Sequence, residues 1–122
     1  MTHTPSTTAH IVPVLPSLDI LRDLKWYEKH TGFIYYFGDK GYAGLRRGDL
    51  EFHLQFHHGT EEDPVVGSVM KIFVEDIQPY FREFVERGTI GEGDLRLNTP
   101  WGTHEFGFYD ENKNAIFWVQ DV

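Results

Sequence analysis

The chain has 122 residues, with 11 basic and 19 acidic side chains and a net charge of −8. This acidity disfavours nucleic acid and anionic membranes as partners, because both repel a negatively charged protein. Cysteine is absent, which excludes disulfides and zinc–thiolate sites, and no apolar run approaches the ~20 residues that cross a bilayer. We therefore expect one cytoplasmic domain over residues 10–122, preceded by a flexible tail at 1–9 that lacks the apolar core of a secretory signal.

The first part of the chain predicts a strand, a helix and three further strands. The apolar run at 11–15 contains Pro13, which predicts an edge strand because proline cannot donate to a sheet ladder. Asp19 is placed to cap a helix whose apolar residues recur at helical spacing until Gly32. The three strands that follow are expected at 33–37, 42–47 and 50–57.

The second part of the chain repeats this order. A strand is expected at 65–74 and a further one starting at Leu95, with a helix between them that stops at Gly88. The pairs Asp19-Ile20 and Asp76-Ile77, each opening a helix, lie 57 residues apart. Such a repeat indicates one βαβββ unit used twice. The predicted fold is α+β, with two paired βαβββ modules, at about 10–58 and 65–122, that form a cleft.

A hairpin is predicted to close the chain. Residues 103–109 alternate between faces, 110–114 have the composition of a turn, and 115–120 form the returning strand. Trp101 stands at a bend just before this hairpin, between Pro100 and Gly102. A large ring presented at a bend would make a wall for a flat, apolar ligand.

Three stretches of the chain resemble bleomycin-resistance proteins, members of the vicinal oxygen chelate (glyoxalase/bleomycin resistance/dioxygenase) superfamily. The resemblance covers about residues 10–120 and rests on Pro13-Val14-Leu15-Pro16-Ser17 with Asp19-Ile20, on Gly41-Tyr42-Ala43-Gly44-Leu45, and on Pro100-Trp101-Gly102 with Phe117-Trp118-Val119-Gln120. It implies the paired βαβββ architecture and a homodimer with clefts at the subunit interface.

The superfamily that this resemblance names contains both metal enzymes and metal-free binders. Enzyme members take metal ligands from the first strand of each module and from the last strand of the second. The matching positions in this chain hold residues that supply no such ligand, namely Ile11, Val12, Ser68, Val69 and Phe117. We therefore expect no metal or other cofactor. The alternative is a metal-dependent glyoxalase- or dioxygenase-type enzyme with a non-standard ligand set drawn from His53, His57 and His104.

By the same resemblance, three aromatic residues match those that line the drug cleft of resistance proteins: Phe37, Tyr42 and Trp101. Offset rings stack on flat heteroaromatic groups, and a tryptophan face also attracts a cation. The resemblance implies metal-independent, stoichiometric sequestration of a flat cationic antibiotic. Ordinary packing of these three rings remains open, as does an unrelated metabolite as ligand, since a fold does not fix its ligand. Most other strand aromatics are expected in the core: Phe33, Tyr35, Phe52, Phe56, Phe106, Phe108 and Trp118.

Overall fold

A computed structural model describes residues 9–122, so nearly all of the predicted tail lies outside the described residues. The described part is α+β, as predicted. Its elements in chain order are β1 (Val14–Ser17), α1 (Ile20–Thr31), β2 (Ile34–Gly38), β3 (Tyr42–Arg47), β4 (Leu50–Phe56), β5 (Val69–Phe73), α2 (Gln78–Glu86), β6 (Thr103–Tyr109) and β7 (Ala115–Asp121). Within residues 9–122, no helix is both long and apolar enough to cross a membrane.

The first sheet has the strand order β1-β4-β3-β2, with β1 parallel to β4 and the other pairs antiparallel. Phe52 and Leu54 of β4 are buried on the face covered by α1, where Tyr27 packs on Phe52. Side chains alternate along a strand, so the intervening residues lie on the opposite face. We call this the open face; it carries Tyr42, Gly44 and Arg46 of β3 and Glu51, His53 and Gln55 of β4.

The second sheet repeats this arrangement with one strand fewer. Its order is β5-β7-β6, with β5 parallel to β7 and β6 antiparallel to it. The strand expected to begin at Leu95 is reduced to a single bridge between Arg96 and Glu105, so that prediction was wrong. A short 3₁₀ helix at Glu92–Asp94 and the left-handed backbone of Asn98 (φ 53°) leave too few extended residues between them to form a ladder.

One apolar core joins the two sheets and the two helices. Phe84 of α2 lies at the centre of the aromatic packing, with ring centroids 5.5 Å from Phe106, 5.5 Å from Phe108 and 5.3 Å from Trp118. Trp26 of α1 reaches Phe108 at 6.2 Å, which connects the helix of the first half to the sheet of the second.

The sequence patterns predicted that two strands start too early in the chain and that one exposed aromatic residue lies in the core. The first strand starts at Val14, and Ile11 before it is 95% exposed; β5 starts at Val69 rather than at residue 65. Tyr35 was expected in the core but is 51% exposed. The reason is that β2 is an edge strand with a register shift between Tyr35 and Phe37, and all five of its residues are exposed.

Candidate functional site

Four rings form a cluster on the first sheet, which we call the aromatic cluster: Tyr36, Phe37, Tyr42 and His53. The ring centroid of Phe37 lies 4.9 Å from Tyr36, 6.3 Å from Tyr42 and 5.1 Å from His53. Phe37 can lie flat on the sheet because Gly44 has no side chain; a Cβ there would stand 1.9 Å from the Phe37 ring. The structure thus brings together two of the three predicted binding residues, Phe37 and Tyr42.

A chain of hydrogen bonds runs through this cluster. The Tyr42 hydroxyl lies 2.7 Å from His53 Nδ1, and His53 Nε2 lies 2.7 Å from Glu51 Oε2. The Tyr36 hydroxyl donates to the same carboxylate oxygen. Arg46 stands over the Tyr36 ring at 4.5 Å and 3.6 Å from Glu51. The side chains of His53 and Glu51 are only 16% and 14% exposed, so these hydrogen bonds are largely shielded from water.

The hydrogen bonds donated to Glu51 in this network determine its charge state. The hydrogen bond from Tyr36, followed by that from His53, lowers the pKa of the Glu51 carboxyl. The same bond raises the pKa of Tyr36, whose proton is held by the carboxylate. Glu51 is therefore ionised at neutral pH, and an ionised carboxylate only accepts hydrogen bonds.

Trp101 is held by two neighbours and remains partly exposed. Gly102 follows it with φ 83°, a backbone conformation that suits glycine and turns the chain into β6. The indole Nε1 donates to Glu105 Oε1 at 2.8 Å, while the guanidinium of Arg96 lies over the ring, 5.1 Å from its centroid. Trp101 remains 56% exposed. It is thus a held, partly exposed ring in the turn that precedes β6.

Glu105 supports Trp101 from within the protein. It is 3% exposed and also accepts a hydrogen bond from Thr103 Oγ1 at 2.7 Å. Burial raises the pKa of the Glu105 carboxyl, but the hydrogen bonds from Thr103 and Trp101, together with the charges of Lys71 and Arg96, outweigh burial and lower it. The carboxylate is therefore ionised and keeps the indole N–H as its donor.

Within one chain, Trp101 does not join the aromatic cluster. The described ring contacts of Phe37 and Tyr42 are to residues of the first sheet, whereas those of Trp101 are to Arg96 and Glu105. One chain therefore presents two separate aromatic surfaces. A cleft of about 300 Å³ lies between the sheets, lined by Glu51 and Phe52 on one side and by Lys71 and Phe73 on the other.

The three histidines considered as metal ligands each have other partners. His53 uses both ring nitrogens, His57 Nδ1 bonds Asp63 Oδ1 at 2.6 Å, and His104 Nδ1 accepts from the Asn98 amide at 3.0 Å. The backbone amide of His58, followed by the imidazoles of His57 and His58, holds the pKa of Asp63 far below its usual value. Residues 9–122 contain no group of three or more metal-binding side chains placed to hold an ion.

The predicted site residues did not include Tyr36, Glu51 or Arg46. The strand predicted at 50–57 places Glu51 and His53 on one face, because side chains two residues apart share a face, and that signal could have found Glu51. No comparable signal existed for Tyr36, because its direction depends on the register shift in β2.

Comparison with solved structures identifies the fold. No family model matches the chain, and no curated protein sequence matches it. A bleomycin resistance determinant encoded on the transposon Tn5 is 23% identical, with a TM-score of 0.77 over 93% of this chain and 98% of that one. The chain has the vicinal oxygen chelate fold.

Two further structures with this fold belong to a binding protein and to an enzyme. The bleomycin-binding protein from bleomycin-producing Streptomyces verticillus, complexed with copper(II)-bleomycin, is 23% identical, with a TM-score of 0.72 over 97% of this chain and 100% of that one. A glyoxalase-related enzyme from Clostridium phytofermentans is 17% identical, with a TM-score of 0.72 over 98% of this chain and 100% of that one. At these identities the likeness establishes the vicinal oxygen chelate fold, and function must be argued from the site.

Proposed function

We propose that this protein is a metal-independent binder that sequesters a flat cationic antibiotic of the bleomycin type, one molecule per site. The aromatic cluster carries the proposal. Phe37 is 38% exposed, although burying it would be favourable, and its neighbours Tyr36 and His53 both bond the ionised Glu51. Rings next to a fixed negative charge suit a ligand that is both flat and cationic.

The separation of the two aromatic surfaces supports a homodimer as the binding form. Phe37 and Tyr42 lie on the first sheet, and Trp101 lies in the turn that leads into β6 of the second sheet. Two chains can associate so that the first sheet of one faces the second sheet of the other. Each cleft between the chains is then lined by the aromatic cluster of one chain and by Trp101 of the other. Apolar side chains exposed on the second half would contribute to such an interface: Val69, Phe73 and Leu97.

The chemistry of the ligand is suggested by charge and by the structural neighbours. A net charge of −8 attracts cations and repels anions. Among the structures of the same fold, one is a bleomycin resistance determinant and another is a bleomycin-binding protein holding copper(II)-bleomycin. Bleomycin is therefore the first ligand to test.

Isothermal titration with metal-free and copper-loaded bleomycin tests the proposal. We expect one drug bound per protomer, a change in tryptophan fluorescence, and at least about tenfold weaker binding by Trp101→Ala, because stacking and burial of an indole are lost. Tyr109→Ala is the matched control, since Tyr109, the last residue of the strand that follows Trp101, is 68% exposed and is not a predicted binding residue. Absence of heat and of any fluorescence change at micromolar drug would refute the proposal.

Two further measurements address the dimer and the metal. Sedimentation equilibrium should give twice the 14.2 kDa chain mass, and a monomer at all concentrations would contradict the shared cleft. Elemental analysis should be made on protein purified without an affinity tag. Stoichiometric metal there would favour an enzyme that uses His53, His57 or His104 over a metal-independent binder.

A further inference from the structure

The neighbours of Tyr42 determine the direction in which its hydroxyl group donates a hydrogen bond. Tyr42 stands on the open face, and its hydroxyl bonds His53 Nδ1 at 2.7 Å. A phenol can donate one hydrogen bond and accept others, so what it offers a ligand depends on where its own proton is held. His53 decides this, because an imidazole nitrogen either donates or accepts according to its protonation.

Glu51 fixes the tautomer of the His53 ring. Its carboxylate lies 2.7 Å from Nε2 and, being ionised, can only accept. In neutral His53 the proton therefore resides on Nε2, which leaves the lone pair on Nδ1. Nδ1 then accepts the Tyr42 proton, and the tyrosine oxygen keeps its lone pairs for the open face.

We infer that Glu51 and His53 hold the Tyr42 hydroxyl as a hydrogen-bond acceptor toward the open face, so that this site recognises ligand groups that donate N–H bonds. The inference deepens the proposed binding function and rests on it for the location of the ligand. It assigns His53 as a positioning residue that acts through Tyr42.

The other groups around His53 leave this assignment unchanged. Glu51 lies on its own strand, Tyr42 on β3 and Phe37 on β2, while Val14 of β1 is its partner in register. Arg46 and Tyr36 reach the network through Glu51. Because the folded-state pKa of Glu51 is lowered, that carboxylate is ionised at pH 8 and accepts from His53 Nε2.

The first test needs no ligand. Long-range proton–nitrogen NMR spectra of nitrogen-labelled protein distinguish the imidazole tautomers, and the signals of His53 are those that vanish in His53→Asn. At pH 8 we expect the Nε2–H tautomer, and in Tyr42→Phe we expect a shift of the Nδ1 signal toward that of a free imidazole. An Nδ1–H tautomer, or an Nδ1 signal unchanged by Tyr42→Phe, would overturn the inference.

The second test uses two small aromatic probes, so it does not depend on bleomycin. Benzamidine donates N–H bonds, whereas benzoate only accepts. At millimolar concentration and pH 8, benzamidine should shift the ring signals of Tyr42 and His53 more than benzoate does. In Tyr42→Phe this preference should fall about tenfold in affinity, as expected for one lost charge-assisted hydrogen bond.

Variants of two histidines make this second test specific. His53→Asn places an amide oxygen near the Nδ1 position, which can still accept the Tyr42 proton, so it should keep the preference for benzamidine; His53→Phe has no acceptor there and should lose it. His57→Asn is the control and should retain the preference, because His57 bonds Asp63 instead of the network. No shift by either probe, or a preference that survives Tyr42→Phe, would overturn the inference. Failure of bleomycin to bind would leave these results intact and count only against the proposed ligand.

Discussion

The hydroxyl of Tyr27 donates to Oδ2 of Asp110 at 2.5 Å, joining two residues 83 positions apart in the chain. Asp110 is 6% exposed and also accepts from the amides of Asn112 and Asn114 and from the Asn114 side chain. Burial, followed by the charge of Asp110, raises the pKa of Tyr27 well above its usual value. The turn of the second-half hairpin is thereby attached to the helix of the first half.

Tyr27→Phe should destabilise the protein by about 1–3 kcal/mol, because it leaves a buried carboxylate oxygen without one of its donors. The change keeps the ring that packs on Phe52, so packing is preserved. Urea unfolding measures the loss. Tyr109→Phe is the control and should change stability by less than about 0.5 kcal/mol, since Tyr109 is 68% exposed. Equal losses of stability in the two variants would show that the hydrogen bond from Tyr27 to Asp110 does not stabilise the contact between the two halves of the chain.

Arg47→Lys should also destabilise the protein, by about 1–3 kcal/mol. The Arg47 guanidinium bonds both carboxylate oxygens of Glu83 at 2.6 Å and lies 5.3 Å from the Trp118 ring centroid. An ammonium cannot make the paired bonds or stack in this way. Arg82→Lys, on the exposed side of the same helix as Glu83, is the control for urea unfolding. A double-mutant cycle with Glu83→Gln should show coupling, and additive losses would contradict a direct interaction.

The same ion pair predicts a dependence of stability on pH. The hydrogen bond from Arg47 outweighs burial and lowers the pKa of Glu83 below its usual 4.5. A carboxyl group whose folded-state pKa is lowered contributes stability above its unfolded pKa and loses that contribution as the pH falls through the folded value. Wild type should therefore exceed Glu83→Gln in unfolding free energy at pH 7, and the difference should shrink below pH 4.5.

The control for this measurement is Glu86→Gln, since Glu86 is exposed on the same helix. Its difference from wild type should change little between pH 7 and pH 3.5. A difference for Glu83→Gln that stays constant on acidification would refute the assignment of the acid-sensitive contribution to this pair.

Elements with strong local signals were predicted from the sequence. The Asp19 carboxylate accepts from the Arg22 amide, and α1 ends at Gly32, as their positions in the sequence indicated. The closing hairpin was also predicted, because alternation and turn composition are both local properties. Phe37 and Tyr42 lie on opposite sides of one tight turn, which is why their proximity could be expected.

Features that depend on pairing between distant strands were not predicted. The network from Tyr36 to Tyr42 exists because the β3–β4 register places Gly44 opposite His53 and because β2 shifts its register. The missing fourth strand of the second sheet depends on the left-handed backbone of Asn98, a conformation that asparagine permits but does not require. Whether Phe37, Tyr42 and Trp101 bind a ligand remains a prediction.

Gly44→Ala should disturb the aromatic cluster while leaving the fold intact. The new Cβ would stand 1.9 Å from Phe37 Cε1 and 2.4 Å from Cδ1, so the ring must move. Phe37 is 38% exposed and can swing toward solvent, so we expect a stability loss of no more than about 1 kcal/mol. The contact of Phe37 with His53 should weaken, which proton NMR detects as a changed ring-current shift on His53.

Ligand binding gives the second measurement on Gly44→Ala. If Phe37 forms one wall of the site, displacing its ring should weaken bleomycin binding by about tenfold, the value of one stacked aromatic contact. Gly93→Ala is the matched control, because a Cβ there meets no described atom within 4 Å. A changed His53 signal with unaltered bleomycin affinity would remove Phe37 from the binding site, whereas an unchanged His53 signal would show that the ring does not rest on Gly44 in solution.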